Sequence, residues 1–209
     1  MDRGLSTSFK YLGSVITDEG SEPEILSRIA QTIAALTRLK PIWNDRSISL
    51  SSKIRLMRSL VTSTNPYVCE SWTLRAELQR RIQATEIGCC RKILRISYKD
   101  DVTNDKVCAK IQQEVGLHED FLITVKRRKL KWYGRVPRSS GLAKTILQGI
   151  VKGRRKQSRQ KKRWEDNIKE WTGLEFAKSQ RAVENREKWR KLVVKSAVMH
   201  QRRPRSRNR

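Results

Sequence analysis

Apolar side chains recur along most of this chain at the spacing of an α-helix, and that periodicity limits the fold more than any other feature. Ser21 and Pro23 predict the start of a first helix, and Pro41 predicts its end. Similar patterns, bounded by Ser, Thr, Gly or Pro, predict helices over about 51–65, 76–96, 103–116, 121–133, 142–147, 164–171 and 174–198. The chain is therefore predicted to be mostly α and built from helical hairpins.

One segment breaks the helical pattern. Residues 9–17 alternate as a β-strand does, with Phe9, Tyr11, Gly13 and Val15 on one face. No other segment predicts a strand of similar quality, and even two strands are only marginally stable in water. We therefore expect one orphan N-terminal β-strand, loosely held because its partner is missing.

Basic residues are concentrated in the C-terminal two-fifths of the chain. The 209 residues carry 47 Lys and Arg against 21 Asp and Glu, a net charge of +26. Residues 1–125 contain 18 basic and 15 acidic side chains, whereas residues 126–209 contain 29 and 6. Because neutralising phosphates releases counterions, RNA or DNA is the expected partner.

The sequence also argues against other classes of protein. No apolar run approaches the roughly 20 residues of a membrane span, and the N-terminus lacks the apolar stretch of a secretory leader. The four cysteines do not have the spacing of a secreted disulfide scaffold. We expect a nuclear or cytoplasmic protein with reduced thiols, and neither a membrane nor a small molecule as its partner.

Two basic segments are candidates for contact with nucleic acid. The first lies on the predicted helix around Trp132 and Tyr133, and the second is a linker, 149–163, in which seven of the eleven residues 153–163 are basic. Cationic side chains pair with phosphates, and Trp132 is a candidate for stacking on an unpaired base. The predicted nucleic-acid-binding residues are Lys126, Arg127, Arg128, Lys129, Lys131, Trp132, Arg154, Arg155, Lys156, Arg159, Lys161, Lys162 and Arg163.

Other interpretations of these segments stay open. Like charges repel, so the linker is expected to be disordered when free, as is the basic tail 201–209. The basic residues also fit a solvated helix face with a nuclear-import signal. The remaining tryptophans are expected to be core anchors. Nothing in the basic segments matches a base-reading motif, so we expect contact with little sequence preference.

Metal binding and catalysis find little support in the sequence. The cysteines are Cys69, Cys89, Cys90 and Cys108; no C-x-x-C pair is present, and adjacent helical residues diverge by about 100°. We expect buried structural thiols, no metal and no cofactor. No Gly-rich phosphate loop, Ser-His-Asp set or convergent carboxylates of a two-metal site are found, so we expect no catalytic residues.

A series of short motifs resembles one family in order. They are Phe9-Lys-Tyr-Leu-Gly-Ser-Val-Ile16, Tyr67-Val-Cys-Glu-Ser-Trp-Thr-Leu74, Arg91-Lys-Ile-Leu-Arg-Ile-Ser97, Asp101-Val-Thr-Asn104, Lys129-Leu-Lys-Trp-Tyr-Gly134, Gly141-Leu-Ala-Lys-Thr-Ile-Leu-Gln-Gly149 and Arg163-Trp-Glu-Asp-Asn-Ile-Lys-Glu-Trp-Thr-Gly173. Together they resemble the C-terminal third of non-LTR retrotransposon (LINE-type) endonuclease–reverse transcriptases, most closely the RTE/BovB branch. The resemblance covers nearly the whole chain, although Gly134-Arg-Val136 stands where the family has Gly-His-Val.

The resemblance implies an organisation and a function. It makes Tyr11, Leu12 and Gly13 primer-grip-like residues and divides the chain into a residual palm strand (1–20), thumb-like helices (21–66), a helical connector (67–149), and a basic linker with C-terminal helices and tail (150–209). The family's catalytic Tyr-x-Asp-Asp motif and endonuclease lie upstream. We therefore expect a truncated C-terminal region that binds RNA or DNA and neither polymerises nor cuts.

The resemblance also leaves room for other functions. The missing palm and fingers of a reverse transcriptase are a further possible partner. A helical module that docks onto a longer reverse transcriptase or another protein, with a nuclear-targeting basic tail, is one alternative. A retrotransposon relic without function is the other.

Overall fold

The computed structural model describes residues 8–17, 20–61, 68–116, 119–148 and 162–199. Within these ranges the chain is mostly helical with one short β-hairpin, which confirms the predicted fold class. The helices are α1 (Glu22–Arg38), α2 (Lys40–Asn44), α3 (Leu50–Leu56), α4 (Ala76–Leu94), α5 (Asn104–Val115), α6 (Phe121–Arg135), α7 (Leu142–Gln148), α8 (Trp164–Thr172), α9 (Phe176–Glu184) and α10 (Arg186–Met199). A π-helical turn, Met57–Val61, continues α3.

The N-terminal segment is a hairpin, so the prediction of one orphan strand is wrong. Strands β1 (Ser8–Tyr11) and β2 (Ser14–Thr17) pair antiparallel, with Phe9 opposite Ile16. Leu12 and Gly13 form the turn, and both have positive φ angles (46° and 78°), as a two-residue hairpin turn of type I′ requires. Apolar residues continue through this turn, and the alternation therefore did not reveal it.

Two buried side chains of α1 clamp the hairpin. Arg28 Nη2 donates to the Gly13 carbonyl at 2.6 Å, and the Val15 amide donates to Glu24 Oε2 at 2.5 Å. Arg28 Nε also donates to Glu24 Oε1 at 2.7 Å, and the two residues are only 6% and 3% exposed. Charge-assisted hydrogen bonds of this kind are the strong ones. The expectation of a loosely held strand is therefore wrong.

Three helix boundaries differ from the sequence pattern. Pro41 does not end the helical region but lies in the first turn of α2, where its missing N–H costs nothing. Gly134 does not end α6 but lies within it. A glycine is required at this position because the Trp189 ring occupies the space that a Cβ would fill. Residues 174–198 form two helices, since Asn185 is extended and its side chain accepts the Lys188 amide at 3.0 Å, capping α10.

The chain divides into two compact units: unit 1 is residues 1–124 and unit 2 is residues 125–209. The four-segment division drawn from the resemblance stays a prediction. The boundary between the units lies within α6, at the point in the sequence where the charge balance changes. No helix in the described ranges is both long and apolar enough to cross a lipid bilayer.

Unit 1 has a mainly aliphatic core formed by α1 to α5. Trp43, Ile54 and Met57 are among its fully buried side chains, and Trp43 Nε1 donates to the Leu36 carbonyl at 2.7 Å. The buried Glu86 carboxylate accepts the Phe121 amide at 2.9 Å and so caps the start of α6. The Trp43 indole and the Glu86 carboxylate therefore each have a specific hydrogen-bond partner in this unit.

Unit 2 has an aromatic core formed by α6, α8, α9 and α10. The Tyr133 hydroxyl lies 2.7 Å from Ser179 Oγ, and burial raises the pKa of Tyr133 although this hydrogen bond opposes the shift. Trp189 Nε1 donates to the Leu130 carbonyl at 3.1 Å, which joins α10 to α6. Trp43, Trp72, Trp171 and Trp189 are buried, which confirms that most of the tryptophans are core anchors, whereas Trp164 is half-buried.

Candidate nucleic-acid interface

The basic residues of α6 separate into an outward and an inward set. Arg128, Lys131 and Arg135 are exposed and follow each other at i, i+3 and i+7, so they form one row along the helix, here called the α6 row. Arg127 lies beside it and is half-buried. Arg135 was not among the predicted residues, although the same spacing places it in line with Arg128 and Lys131.

Lys129 does not face solvent, contrary to the prediction that it contacts nucleic acid. Its side chain is fully buried, with Nζ 4.4 Å from the centre of the Trp164 ring and 5.5 Å from that of Trp171. The same Nζ donates to Asn167 Oδ1 at 3.1 Å. Aromatic faces and an amide oxygen thus take the place of water around this ammonium.

Lys126 is also buried, so its predicted contact with nucleic acid is wrong as well. Its Nζ lies 5.5 Å from the centre of the Trp171 ring. Burial lowers the pKa of Lys126, and the Glu170 carboxylate opposes that shift. Lys126, Lys129 and Tyr133 recur at i, i+3 and i+7 and contact the one face of α8 that carries Trp164 and Trp171. These lysines therefore join α8 to α6.

Trp132 lies at the edge of the α6 row and remains 37% exposed. Its ring meets the Trp164 ring edge-on, with centroids 5.5 Å apart and planes at 76°. This contact fixes the orientation of the indole, and Trp132 lies four residues after Arg128 and three before Arg135 on the same helix. Unpaired bases stack on aromatic side chains in such surroundings.

The last two residues of the predicted basic linker are held by the first turns of α8. Lys162 pairs with Glu170. The Arg163 amide donates to Asp166 Oδ2 at 2.6 Å, and its guanidinium Nη1 lies 3.3 Å from Glu165 Oε1 while remaining exposed. The other predicted linker residues, Arg154, Arg155, Lys156, Arg159 and Lys161, lie outside the described residues.

Acidic residues are unevenly placed within unit 2. Helix α6 carries none, whereas α8 and the residue that precedes α9 carry four of the six in this unit: Glu165, Asp166, Glu170 and Glu175. Most of these are occupied within α8 and its flanks, as in the 2.6 Å pair of Lys169 with Glu175. The positive charge of the α6 row consequently has no acidic neighbour on its own helix.

A second row of lysines, on α10, was not predicted from the sequence. Lys188, Lys191 and Lys195 recur at i, i+3 and i+7, and all three are exposed; they are called the α10 row. Among the described residues none of the three has an ion-pair partner. The helical spacing of these lysines is present in the sequence. The contact with nucleic acid was predicted on the linker instead, because the linker has a higher density of basic residues.

The primer-grip-like residues lie in unit 1. Tyr11 and Leu12 are 61% and 75% exposed, and Gly13 accepts the Arg28 hydrogen bond at the turn. Phe9 and Ile16 are also exposed, and their pairing places them on the same face of the hairpin as Tyr11. The hairpin therefore presents an apolar face to solvent.

The cysteines are buried structural thiols with one exception. Cys69, Cys89 and Cys90 are buried as predicted, and burial raises the pKa of Cys89 to about 11 and that of Cys90 to about 12. Cys108 is exposed, contrary to the prediction. Among the described residues no group of three or more His, Cys, Asp or Glu side chains is placed to hold a metal ion.

Comparisons of the chain with protein-family models, with curated proteins and with solved structures found no match. The resemblance to retrotransposon reverse transcriptases consequently stays a prediction that the motifs alone support. The function of the chain has to be argued from the charges and contacts of its own residues.

Proposed function

We propose that unit 2 binds RNA or DNA through the phosphate backbone, with little sequence preference, and that the α6 row is the centre of the contact. The observation that carries this proposal is the α6 row itself, with the fixed and partly exposed Trp132 at its edge. Three cations on one helix face meet a polyanion without any ordering of the backbone, and the adjacent indole offers a base a stacking surface.

The buried lysines support the proposal indirectly. Lys126 and Lys129 fix α8 against α6, and this contact holds Trp164 against Trp132. Arg163, at the start of α8, adds an exposed guanidinium to the same region. The contact with nucleic acid then needs the outward residues, while the inward residues supply rigidity.

Substitution of the α6 row tests the proposal. Arg128→Gln/Lys131→Gln/Arg135→Gln should weaken binding of a 20-nucleotide oligo(U) about tenfold or more near physiological salt. The slope of log K against log salt should become less steep by up to about two units, since each single-strand phosphate contact contributes about 0.7. Fluorescence anisotropy over a salt series measures both quantities.

A matched variant separates the row from net charge. Lys99→Gln/Lys106→Gln/Lys110→Gln removes the same number of exposed charges from unit 1 and should change the affinity less than twofold. Equal weakening by the two variants would refute the assignment to α6. So would wild-type binding that does not respond to salt.

The proposal extends to the origin of the chain. The ordered motifs support assigning it to the C-terminal region of a LINE-type reverse transcriptase, with primer-grip-like Tyr11, Leu12 and Gly13 at its hairpin. Under this assignment the chain has no polymerase or nuclease activity of its own and works in the nucleus or cytoplasm, where RNA and DNA are present. A primer extension assay on a primed RNA template tests the assignment, and extension by the purified chain would contradict it.

A second candidate function is favoured by the hairpin. Phe9, Tyr11 and Leu12 are exposed on a segment that the Glu24–Arg28 clamp holds in place, as a protein-docking surface requires. The palm and fingers of a LINE-type reverse transcriptase are the partner that the motifs favour. Phe9→Ser/Tyr11→Ser should then abolish the complex with that fragment while oligo(U) binding stays unchanged, and a complex that survives the double substitution would exclude this candidate.

A further inference from the structure

Unit 2 carries two basic rows on different helices, and the contact between those helices determines where the rows face. Trp189 is the α10 residue that meets α6, at the Leu130 carbonyl and at Gly134. At about 100° per residue, Lys188, Lys191 and Lys195 lie about 100°, 160° and 120° around α10 from Trp189. The α10 row therefore lies on the side of α10 that is turned away from α6.

Two of the three α6 row residues are also turned away from this contact. Arg128 and Arg135 lie about 100–160° around α6 from Leu130 and Gly134, whereas Lys131 lies about 100° from Leu130 and about 60° from Gly134. The buried Trp189 lies at the contact between the two helices. The α10 row, Arg128 and Arg135 therefore face away from the contact that joins α6 to α10.

Charge favours a polyanion as the occupant of the α10 row. The row is exposed, spans about 10 Å of helix, and has no ion-pair partner among the described residues. The acidic residues of unit 2 lie mainly on and beside α8, and α10 itself carries only Glu187. The exposed side chains Val194 and Val198 lie beside the row, and Glu187, four residues before Lys191, is the one acidic side chain next to it on α10.

We infer that the α10 row is a second nucleic-acid contact, and that unit 2 bridges two separate nucleic-acid segments. This inference rests on the proposed function, because one segment occupies the α6 row while a second occupies the α10 row. Two segments held on one small unit have a high effective concentration relative to each other. The chain thus brings nucleic-acid strands together in addition to binding them.

A capture assay with the full chain tests the inference. Biotinylated 20-nucleotide oligo(U) on beads is loaded with protein and washed, and a fluorescent oligo(U) of the same length is then added near physiological salt. Two copies of oligo(U) do not pair with each other, so retained fluorescence reports bridging by protein. The wild-type chain should retain the second oligonucleotide.

The α10 row variant should separate bridging from binding. Lys188→Gln/Lys191→Gln/Lys195→Gln should reduce capture at least fivefold and lower the saturating ratio of oligo(U) to protein from two to one. The affinity of the first oligo(U) should fall no more than twofold, because the α6 row, which is the centre of the proposed contact, is unchanged. The control Lys144→Gln/Lys178→Gln/Arg181→Gln removes three charges from α7 and α9 and should leave capture unchanged.

Other results would overturn the inference in distinguishable ways. A wild-type chain that binds oligo(U) but captures no second strand has one site, and the inference alone fails. Equal loss of capture in the control variant assigns bridging to net charge. A large loss of first-site affinity in the α10 variant would make the two rows one continuous site. A wild-type chain that binds no oligo(U) at all would refute the proposed function together with the inference.

Discussion

The two units use buried charge in opposite ways. In unit 1 two of the buried charges, Glu24 and Arg28, pair with each other and with the backbone of the hairpin. In unit 2 the buried charges Lys126 and Lys129 are both positive and pack on tryptophan rings. The stem of a lysine is apolar and its ammonium is attracted to aromatic faces, so a lysine-rich segment contributes to a core when tryptophan is opposite it. Net charge alone therefore does not identify a binding surface.

The largest expected effect concerns the paired charges of unit 1. Arg28→Met leaves a buried carboxylate and the Gly13 carbonyl without their partner and should lower the free energy of unfolding by about 3 kcal/mol or more. Hydrogen exchange of the hairpin amides should accelerate with it. Urea unfolding followed by alkylation of the buried thiols measures the stability of unit 1, because all four cysteines lie there.

An exposed pair of the same spacing provides the control. Arg81 and Glu77 are also four residues apart and 2.7 Å from each other, but their side chains are 47% and 54% exposed. Arg81→Met should cost less than about 0.5 kcal/mol. Similar losses in the two variants would mean that burial of the Arg28 pair contributes nothing, and the contrast between the units would lose its basis.

A smaller effect is expected from the close packing of unit 2. Gly134→Ala places a Cβ inside the Trp189 ring and should destabilise unit 2 by about 2–3 kcal/mol, with faster hydrogen exchange in α6 and α10. Gly88 lies within α4 with open space around it, so Gly88→Ala should stabilise unit 1 by about 0.5–1 kcal/mol. If Gly134→Ala and Gly88→Ala changed the free energy of unfolding in the same direction, the close packing of Trp189 against Gly134 would be contradicted.

The smallest effect concerns the buried lysines and depends on pH. Burial lowers the pKa of Lys126 from its ordinary value of 10.5, so between the two pKa values the unfolded chain binds more protons and wild-type stability rises with pH. Lys126→Met lacks this dependence. It should raise the free energy of unfolding near pH 7 by up to about 1 kcal/mol, measured by urea unfolding, and the gain should vanish above about pH 10.5. A loss of stability at pH 7 would show that the ammonium is favourably placed.

Much of the fold follows from local sequence signals. The helices α1, α4, α5 and α8 begin and end close to their predicted positions because caps, Pro and Gly act locally, as Thr103 does when its hydroxyl accepts the Lys106 amide. The hairpin was missed because its turn continues the apolar alternation. Gly134 was wrongly predicted to end α6. The glycine is needed because the Trp189 ring packs against it, and Trp189 is distant in the sequence.

The candidate site was predictable in its location and not in its orientation. Composition placed the charge in the C-terminal region, and Arg128, Lys131 and Trp132 are exposed there. Nothing local distinguishes Lys129 from Lys131, because the distinction depends on which side of α6 meets α8. The α10 row was overlooked for the related reason that its exposure follows from the position of Trp189.

The most direct test of this account compares one triple variant in each unit. Oligo(U) binding over a salt series is measured for the wild-type chain, for the α6 row variant and for Lys99→Gln/Lys106→Gln/Lys110→Gln. The account predicts that only the α6 row variant loses affinity, about tenfold or more, with a less steep dependence on salt. Equal affinities for the two variants would contradict the claim that a defined face of unit 2, rather than the net charge of the chain, binds nucleic acid.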